Sequence, residues 1–251
     1  MKVVILAGGL GSRIGNLTES IPKPLIEING KPLLVRVMEH YSNHGFNDFI
    51  IALGYKGDLI KSYFQNLKLK FSKSLKFDFA KENVNYEIDN TSLKKWKVQL
   101  VDTGLNTMTG GRLKRLQNYI KNEKFLLTYG DGVSDVNINH LIKFHNKSKS
   151  YATVTAVHPN ARFGNLVIDK SNKVTKFKEK VPLRKEWING GFFVMENTIF
   201  KYLSDDLCEL EREPLEKLAL DKKLSAFKHE GFWHCVDTKR DIESLESILV
   251  D

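Results

Sequence analysis

The sequence predicts an α/β fold in which parallel strands form one sheet covered by helices. Three observations carry this expectation. The β-branched run Val3-Val4-Ile5-Leu6 passes directly into glycines, and apolar runs then alternate with amphipathic stretches in strand, helix, strand, helix order. A chain of 251 residues with 41% hydrophobic and 27% charged content also suits one large α/β unit rather than a disordered or fibrous protein. In such folds a ligand is expected beyond the carboxyl ends of the strands.

Residues 2–6 read as a buried strand, and the glycines after it permit a tight turn closed to bulky side chains. Residues 31–44 place Leu34, Val37, Met38 and Tyr41 at helical spacing, so an amphipathic helix follows. A short strand at 48–53 and a helix at 58–65 complete the first alternation. From 67 to 97 the chain turns Lys- and Asn-rich and weakly periodic, with Asp89-Asn90 as a turn signal. That composition predicts an insertion in the sheet, not a separate domain. Strands are then expected at 98–101, 124–128, 151–157, 164–168, 173–177 and 191–195, with helices at 111–121 and 137–146. A final helix at 241–249 carries Ile242, Leu245, Ile248 and Leu249, and could close the core or cover a neighbouring subunit. The whole chain, 1–251, reads as one domain.

Composition excludes several function classes. No run approaches the roughly 18 apolar residues of a membrane span. The opening apolar run is too short for a signal-peptide core and meets glycines instead of a cleavage site, so no export and a cytoplasmic location are expected. Cys208 and Cys235 form no C-x-x-C pair, which argues against a disulfide framework or structural zinc. Thirty-nine Lys plus Arg against thirty Asp plus Glu leave a net charge of +9, suited to an anionic partner: nucleic acid, membrane surface or a phosphorylated small molecule. Many of those cations, such as Lys68, Lys73, Lys94 and Lys222, are scattered as on an ordinary solvated surface.

The most informative local feature is Leu6-Ala7-Gly8-Gly9-Leu10-Gly11-Ser12-Arg13, directly after a strand. Its glycines let successive backbone N–H groups converge on a phosphate, and Arg13 adds a charged fork. The dinucleotide pattern fails because Ile14 stands where a third glycine is needed, and the Walker pattern fails for want of G-K-[ST]. Pro22-Lys23-Pro24 presents Lys23 on a stiff segment suited to holding a point charge against a triphosphate. Asp131, between Gly130 and Gly132, and Asp237 stand where strand ends are expected. A few carboxylates, completed by water and substrate phosphates, are the usual way to hold Mg²⁺. Thr109-Gly110-Gly111-Arg112 opens a helix and offers backbone donors and a guanidinium to a base or phosphate. A nucleic-acid patch would want aromatic residues between the charges, and this stretch has none. His40 and His44 lack the glutamate of a zinc protease motif, and G-x-S-x-G is absent.

Taken in order, these segments resemble the sugar-phosphate nucleotidylyltransferases, and in particular the glucose-1-phosphate cytidylyltransferases. The resemblance runs from Met1 to about Arg240. It rests on the glycine turn, Pro22-Lys23-Pro24, Gly54-Tyr55-Lys56-Gly57, Val101-Asp102-Thr103-Gly104, residues 108–115, Tyr129-Gly130-Asp131-Gly132, Arg162-Phe163-Gly164, Glu179-Lys180, the Ile188 to Phe193 run, and Gly231-Phe232-Trp233 with Asp237-Thr238. It implies a Rossmann-like three-layer αβα nucleotidyltransferase fold with a mixed, mostly parallel sheet and an inserted segment. It implies transfer of CMP from CTP to a sugar 1-phosphate, α-D-glucose 1-phosphate foremost, with release of pyrophosphate. On that model Leu6, Ala7, Gly8, Gly9, Gly11, Ser12 and Arg13 bind the nucleotide. Arg13, Lys23 and Asp131 act in catalysis, and Asp131 with Asp237 holds Mg²⁺. Gly111 and Arg112 read the cytosine, while Lys23, Glu179, Lys180, Asn189 and Gly190 take the sugar phosphate. It further implies a homo-oligomer acting without nucleic acid or membrane. The chain departs from the family at the sugar end, where Val181 intervenes before Pro182 and residues 183–187 lack the usual glycine. A different phosphorylated acceptor, or a non-catalytic nucleotide-sugar-binding subunit, is the alternative.

Overall fold

All four residues of β1 (Val3–Leu6) are buried, which demands cover on both faces of the sheet they join. The computed structural model, which describes residues 1–11, 14–70, 72–78, 83–88, 96–159, 165–178 and 186–249, supplies that cover. After β1 come α1 (Asn16–Ser20), the hairpin β2 (Glu27–Ile28) and β3 (Lys31–Pro32), α2 (Leu33–Asn43), β4 (Asp48–Leu53) and α3 (Gly57–Lys70). The hairpin β5 (Ser72–Asp78) and β6 (Asn83–Ile88) leads to β7 (Lys97–Asp102), α4 (Thr109–Arg115) and α5 (Gln117–Ile120). Next are β8 (Phe125–Tyr129), β9 (Gly132–Ser134), α6 (Ile138–Ser148), β10 (Ala152–Val157), β11 (Asn165–Ile168) and β12 (Val174–Lys178). The chain closes with β13 (Ile188–Asn189), β14 (Phe193–Met195), α7 (Glu213–Leu220), β15 (Leu224–Lys228), β16 (Trp233–Cys235) and α8 (Lys239–Ile248).

The main sheet is mixed. β1 lies between β4 and β8, parallel to both, and β7 extends the parallel set beyond β4. On the other side β14 runs antiparallel to β8, β10 runs antiparallel to β14 and β13, and β15 lies parallel to β10. Alternation along each strand divides the core between the two faces. Val4, Leu6, Ile50, Ala52 and Leu127 pack with Leu113, Ile120, Leu215 and Leu218, so α4, α5 and α7 cover that face. Val3, Ile5, Phe49, Ile51 and Leu126 pack with Leu34, Met38, Ile60 and Leu141, so α2, α3 and α6 cover the other. A third core sits beyond the sheet: Ile14, Ile26, Ile28, Leu33, Val236, Ile242 and Leu245 join the loops after β1 to α8. The final helix therefore closes this core, as one of its two expected roles required.

Several expectations are corrected in detail. The helix expected at 111–121 starts at Thr109 and is split at Leu116 into α4 and α5. The strands expected at 164–168 and 173–177 pair with each other as β11 and β12, outside the main sheet. Within the insertion, α3 runs to Lys70, beyond its expected end, and β5 pairs with β6. The Asp89-Asn90 turn lies outside the described residues. The short antiparallel pair β9 and β16 was not anticipated. No helix among the described residues is long and apolar enough to cross a membrane. Cys208 and Cys235 are both free thiols.

Candidate active site

At the carboxyl ends of the parallel strands the loops part around a cavity of about 570 Å³. Its walls are Leu6 to Gly11 after β1, Leu105 to Thr109 after β7, Tyr129 to Asp131 after β8, and Lys23, Pro24, Arg112 and Asp237. Parallel strands ending at one rim leave their following loops side by side, which is why segments far apart in the chain meet here.

Lys23 opens a single 3-10 turn, Lys23–Leu25, entered from Pro22 and carrying Pro24, so its backbone is set by two fixed φ angles. Its Nζ donates to Asp131 Oδ2 at 2.6 Å and to Asp237 Oδ1 at 2.7 Å. Burial alone would lower its pKa, yet the two carboxylates outweigh that and hold it above the usual lysine value. What unites the aspartates is the unanticipated β9–β16 pair. Cys235 faces Gly132 in register, and Val236 N donates to Asp131 O at 3.1 Å, so the residues on either side of the pair converge. Asp237 is steadied from α8, where Asp241 Oδ2 accepts its backbone N–H at 3.0 Å. Donor atoms of Asp131, Asp237 and Cys235 all lie within 4.8 Å of one another, and among the described residues no other three His, Cys or acidic side chains converge so closely. Burial first, then the nearby carboxylates, push the Cys235 thiol up to about 12.

Arg112 lines the cavity as expected, and its side chain is already engaged with the loops around it. The side chain is buried, and Nη1 donates to Leu53 O, Thr103 Oγ1 and Gly104 O while Nη2 donates to Gly8 O and Leu105 O. Its pKa is lowered, by burial first, and Asp102 works against the fall. The guanidinium is thus committed to fastening the glycine turn to the loop after β7. Gly8 must be glycine for this reason, since a Cβ there would meet the Arg112 guanidinium at 2.5 Å. Gly111 is not among the cavity's wall residues, and a Cβ there would strike the Asp206 backbone at 2.5 Å, so α4 packs closely against that segment.

The remaining expected residues divide. Leu6, Ala7, Gly8, Gly9 and Gly11 wall the cavity. Ser12, Arg13, Glu179 and Lys180 lie outside the described residues. Asn189 sends Nδ2 to Tyr129 Oη at 3.3 Å and accepts from Gly191 N at 2.8 Å. The Gly190 N donates to Thr155 O and its O accepts from Trp233 Nε1, which ties it to β10 and β16. Sequence reasoning did not assign a site role to Tyr129 or to residues 105–108 after β7. The rule that ligands gather beyond strand ends, applied to β7 and β8, could have found both. Tyr129 Oη donates to Glu211 Oε1 at 2.6 Å, and burial and then that carboxylate raise its pKa.

A family model described as nucleotidyl transferase matches residues 2–236. The glucose-1-phosphate cytidylyltransferase of Salmonella typhimurium is 47% identical over 249 residues, covering 99% of this chain and 95% of that one. The D-glycero-alpha-D-manno-heptose 1-phosphate guanylyltransferase of Campylobacter jejuni is 30% identical, covering 80% and 78%. Among solved structures, the HddC protein of Yersinia pseudotuberculosis superposes with a TM-score of 0.69 at 25% identity, covering 98% of both chains.

Proposed function

Because the chain belongs to the nucleotidyl transferase family, we propose that it transfers CMP from CTP to α-D-glucose 1-phosphate, giving CDP-glucose and pyrophosphate. The observation that carries this reading is the convergence of Lys23, Asp131 and Asp237 beside a cavity walled by the glycine turn. Similarity to a glucose-1-phosphate cytidylyltransferase supplies the base and the sugar.

A sugar-phosphate oxygen attacks the α-phosphorus in line, the bond from that phosphorus to the bridging oxygen breaks, and pyrophosphate leaves with the electron pair. No side chain changes its covalent state, so the protein contributes position and charge. The backbones of Leu6 to Gly9 and Gly11, with Ser12 and Arg13, cradle the triphosphate. Lys23 neutralises charge at the reacting phosphates, while Asn189, Glu179 and Lys180 hold the sugar phosphate. Arg112 fixes the carbonyls of Gly8 and Leu105, two residues that wall the cavity. Such acceptors suit the amino donor of cytosine and oppose the carbonyl that uracil or thymine carries in its place.

The site fits a divalent cation. Two carboxylates converge on the Lys23 ammonium at 2.6 and 2.7 Å, and the same oxygens are the hard donors that Mg²⁺ prefers, which supports a cation site here. Asp131 and Asp237 would hold it. Bound there, Mg²⁺ would offset the charge of the two anionic phosphates that must meet. We extend the reading to a homo-oligomer, supported by Leu166, Val167, Ile168, Val174 and Phe177, which β11 and β12 expose together. Light scattering on the purified chain tests that point.

The activity is tested by incubating the protein with CTP, Mg²⁺ and a panel of hexose 1-phosphates and weighing the products. CDP-glucose and pyrophosphate are expected. Absence of any CDP-hexose would refute the assignment.

A further inference from the structure

Outside the groups assigned above, one acidic side chain touches two walls of the cavity at once. Glu211 lies just before α7, and its carboxylate accepts from Thr109 Oγ1 through Oε2 at 2.6 Å and from Tyr129 Oη through Oε1 at 2.6 Å. Thr109 begins α4 and lines the cavity beside Met108 and Arg112. Tyr129 ends β8, two residues before Asp131, and receives Asn189 Nδ2 at 3.3 Å.

The segment that carries Glu211 is itself anchored to α4. Met108 N donates to Asp206 O at 2.8 Å, Gly110 N donates to Cys208 O at 2.9 Å, and Leu210 N donates to Thr109 Oγ1 at 2.9 Å. Arg115 grips Asp206 through two bonds, of 2.8 and 2.6 Å. The backbone of this segment is therefore fastened to α4, and Glu211 is the point at which it also reaches Tyr129.

We propose that Glu211 is a positioning residue that couples the nucleotide wall of the cavity, through Thr109, to the sugar-phosphate wall, through Tyr129 and Asn189. This rests on the function proposed above. A carboxylate is suited to the task because it accepts from two hydroxyls in a fixed plane, and charge-assisted bonds of this kind are short and stiff. An amide in its place keeps one good acceptor oxygen and loses the other.

The test is a set of variants compared with wild type in melting temperature, in CTP affinity by calorimetry, and in steady-state kinetics. Glu211→Ala is expected to weaken CTP binding and to raise KM for the hexose 1-phosphate, each about tenfold, with a near-native melting temperature. Glu211→Gln is expected to recover part of both. Thr109→Val should reproduce the CTP loss and Tyr129→Phe the sugar-phosphate loss. Each, combined with Glu211→Ala, should cost no more than the worse single change, since coupled groups are not additive. Additive losses, unchanged constants, or a uniform loss tracking a lowered melting temperature would each overturn the proposal. Wild type that forms no CDP-hexose would overturn the function instead, and the calorimetric arm, read on CTP alone, would still decide the coupling at Thr109.

Discussion

Lys23 is held between Asp131 and Asp237 with its side chain only 12% exposed, so either carboxylate is worth most where water screens it least. Asp131→Asn and Asp237→Asn should each lower CTP-dependent pyrophosphate release by about 10²–10³, the usual cost of a preorganised charge contact. Wild-type rates in a phosphate-coupled assay would remove both residues from the mechanism. Arg112 acts by a different physics. It holds the backbone carbonyls of Gly8, Gly104 and Leu105 in place, so Arg112→Ala should leave the glycine turn and the loop after β7 unfastened. The expected outcome is a fall in turnover of about 10², with weaker preference for CTP over UTP, measured by running the two nucleotides in competition.

At the scale of elements, α8 illustrates how a helix start can place a charge. Thr238 caps it, Thr238 Oγ1 accepts from Asp241 N at 3.3 Å, and Asp241 Oδ2 accepts from Thr238 N at 2.7 Å. The same Asp241 carboxylate takes the Asp237 N–H, so the cap and the site share one residue. Asp241→Ala should therefore cost about 1 kcal/mol in stability and also reduce activity, a pairing that thermal melts and rate assays on one sample would reveal. Thr238→Ala should show the stability loss with a smaller loss of rate. On α4, Gly111→Ala would push a methyl group into the Asp206 backbone. The helix must shift or the protein must lose stability.

For the whole molecule, three histidines weaken the fold in acid. Burial, and then His44, depress the His40 pKa to about 4, and burial lowers His145 and His234 as well. Each refuses in the folded state a proton that it accepts when unfolded. Stability is therefore fully present above the ordinary histidine value and is lost as pH falls from about 6.5 to about 4. His40 alone accounts for up to about 3 kcal/mol of that loss. Urea unfolding midpoints at pH 7, 6 and 5 should fall steeply in wild type and less steeply in His40→Gln. Equal slopes would assign the acid sensitivity to other groups.

The parallel half of the sheet, α2, α6 and α8 were legible in the chain because a buried strand and an amphipathic helix are written in apolar spacing over a few residues. The glycine turn and the proline-flanked lysine were legible for a similar reason, since backbone geometry there is imposed by the residues themselves. Tyr129 and Glu211 were not, because their importance lies in partners up to 102 positions away along the chain. Nor was the β9–β16 pair, whose strands of three residues each are too short to show a period.

By itself, then, the sequence determined the layered α/β class, the phosphate-cradling turn and the kinship that implies nucleotidyl transfer, all of which follow from local chemistry. Tertiary structure alone decided that Asp131 and Asp237 close on the same lysine, that Arg112 fastens loops, and that Gly111 and Gly190 pack closely against their neighbours. Those outcomes depend on which side chains meet after the strands align. Side chains far apart in the chain share no pattern until folding has paired them.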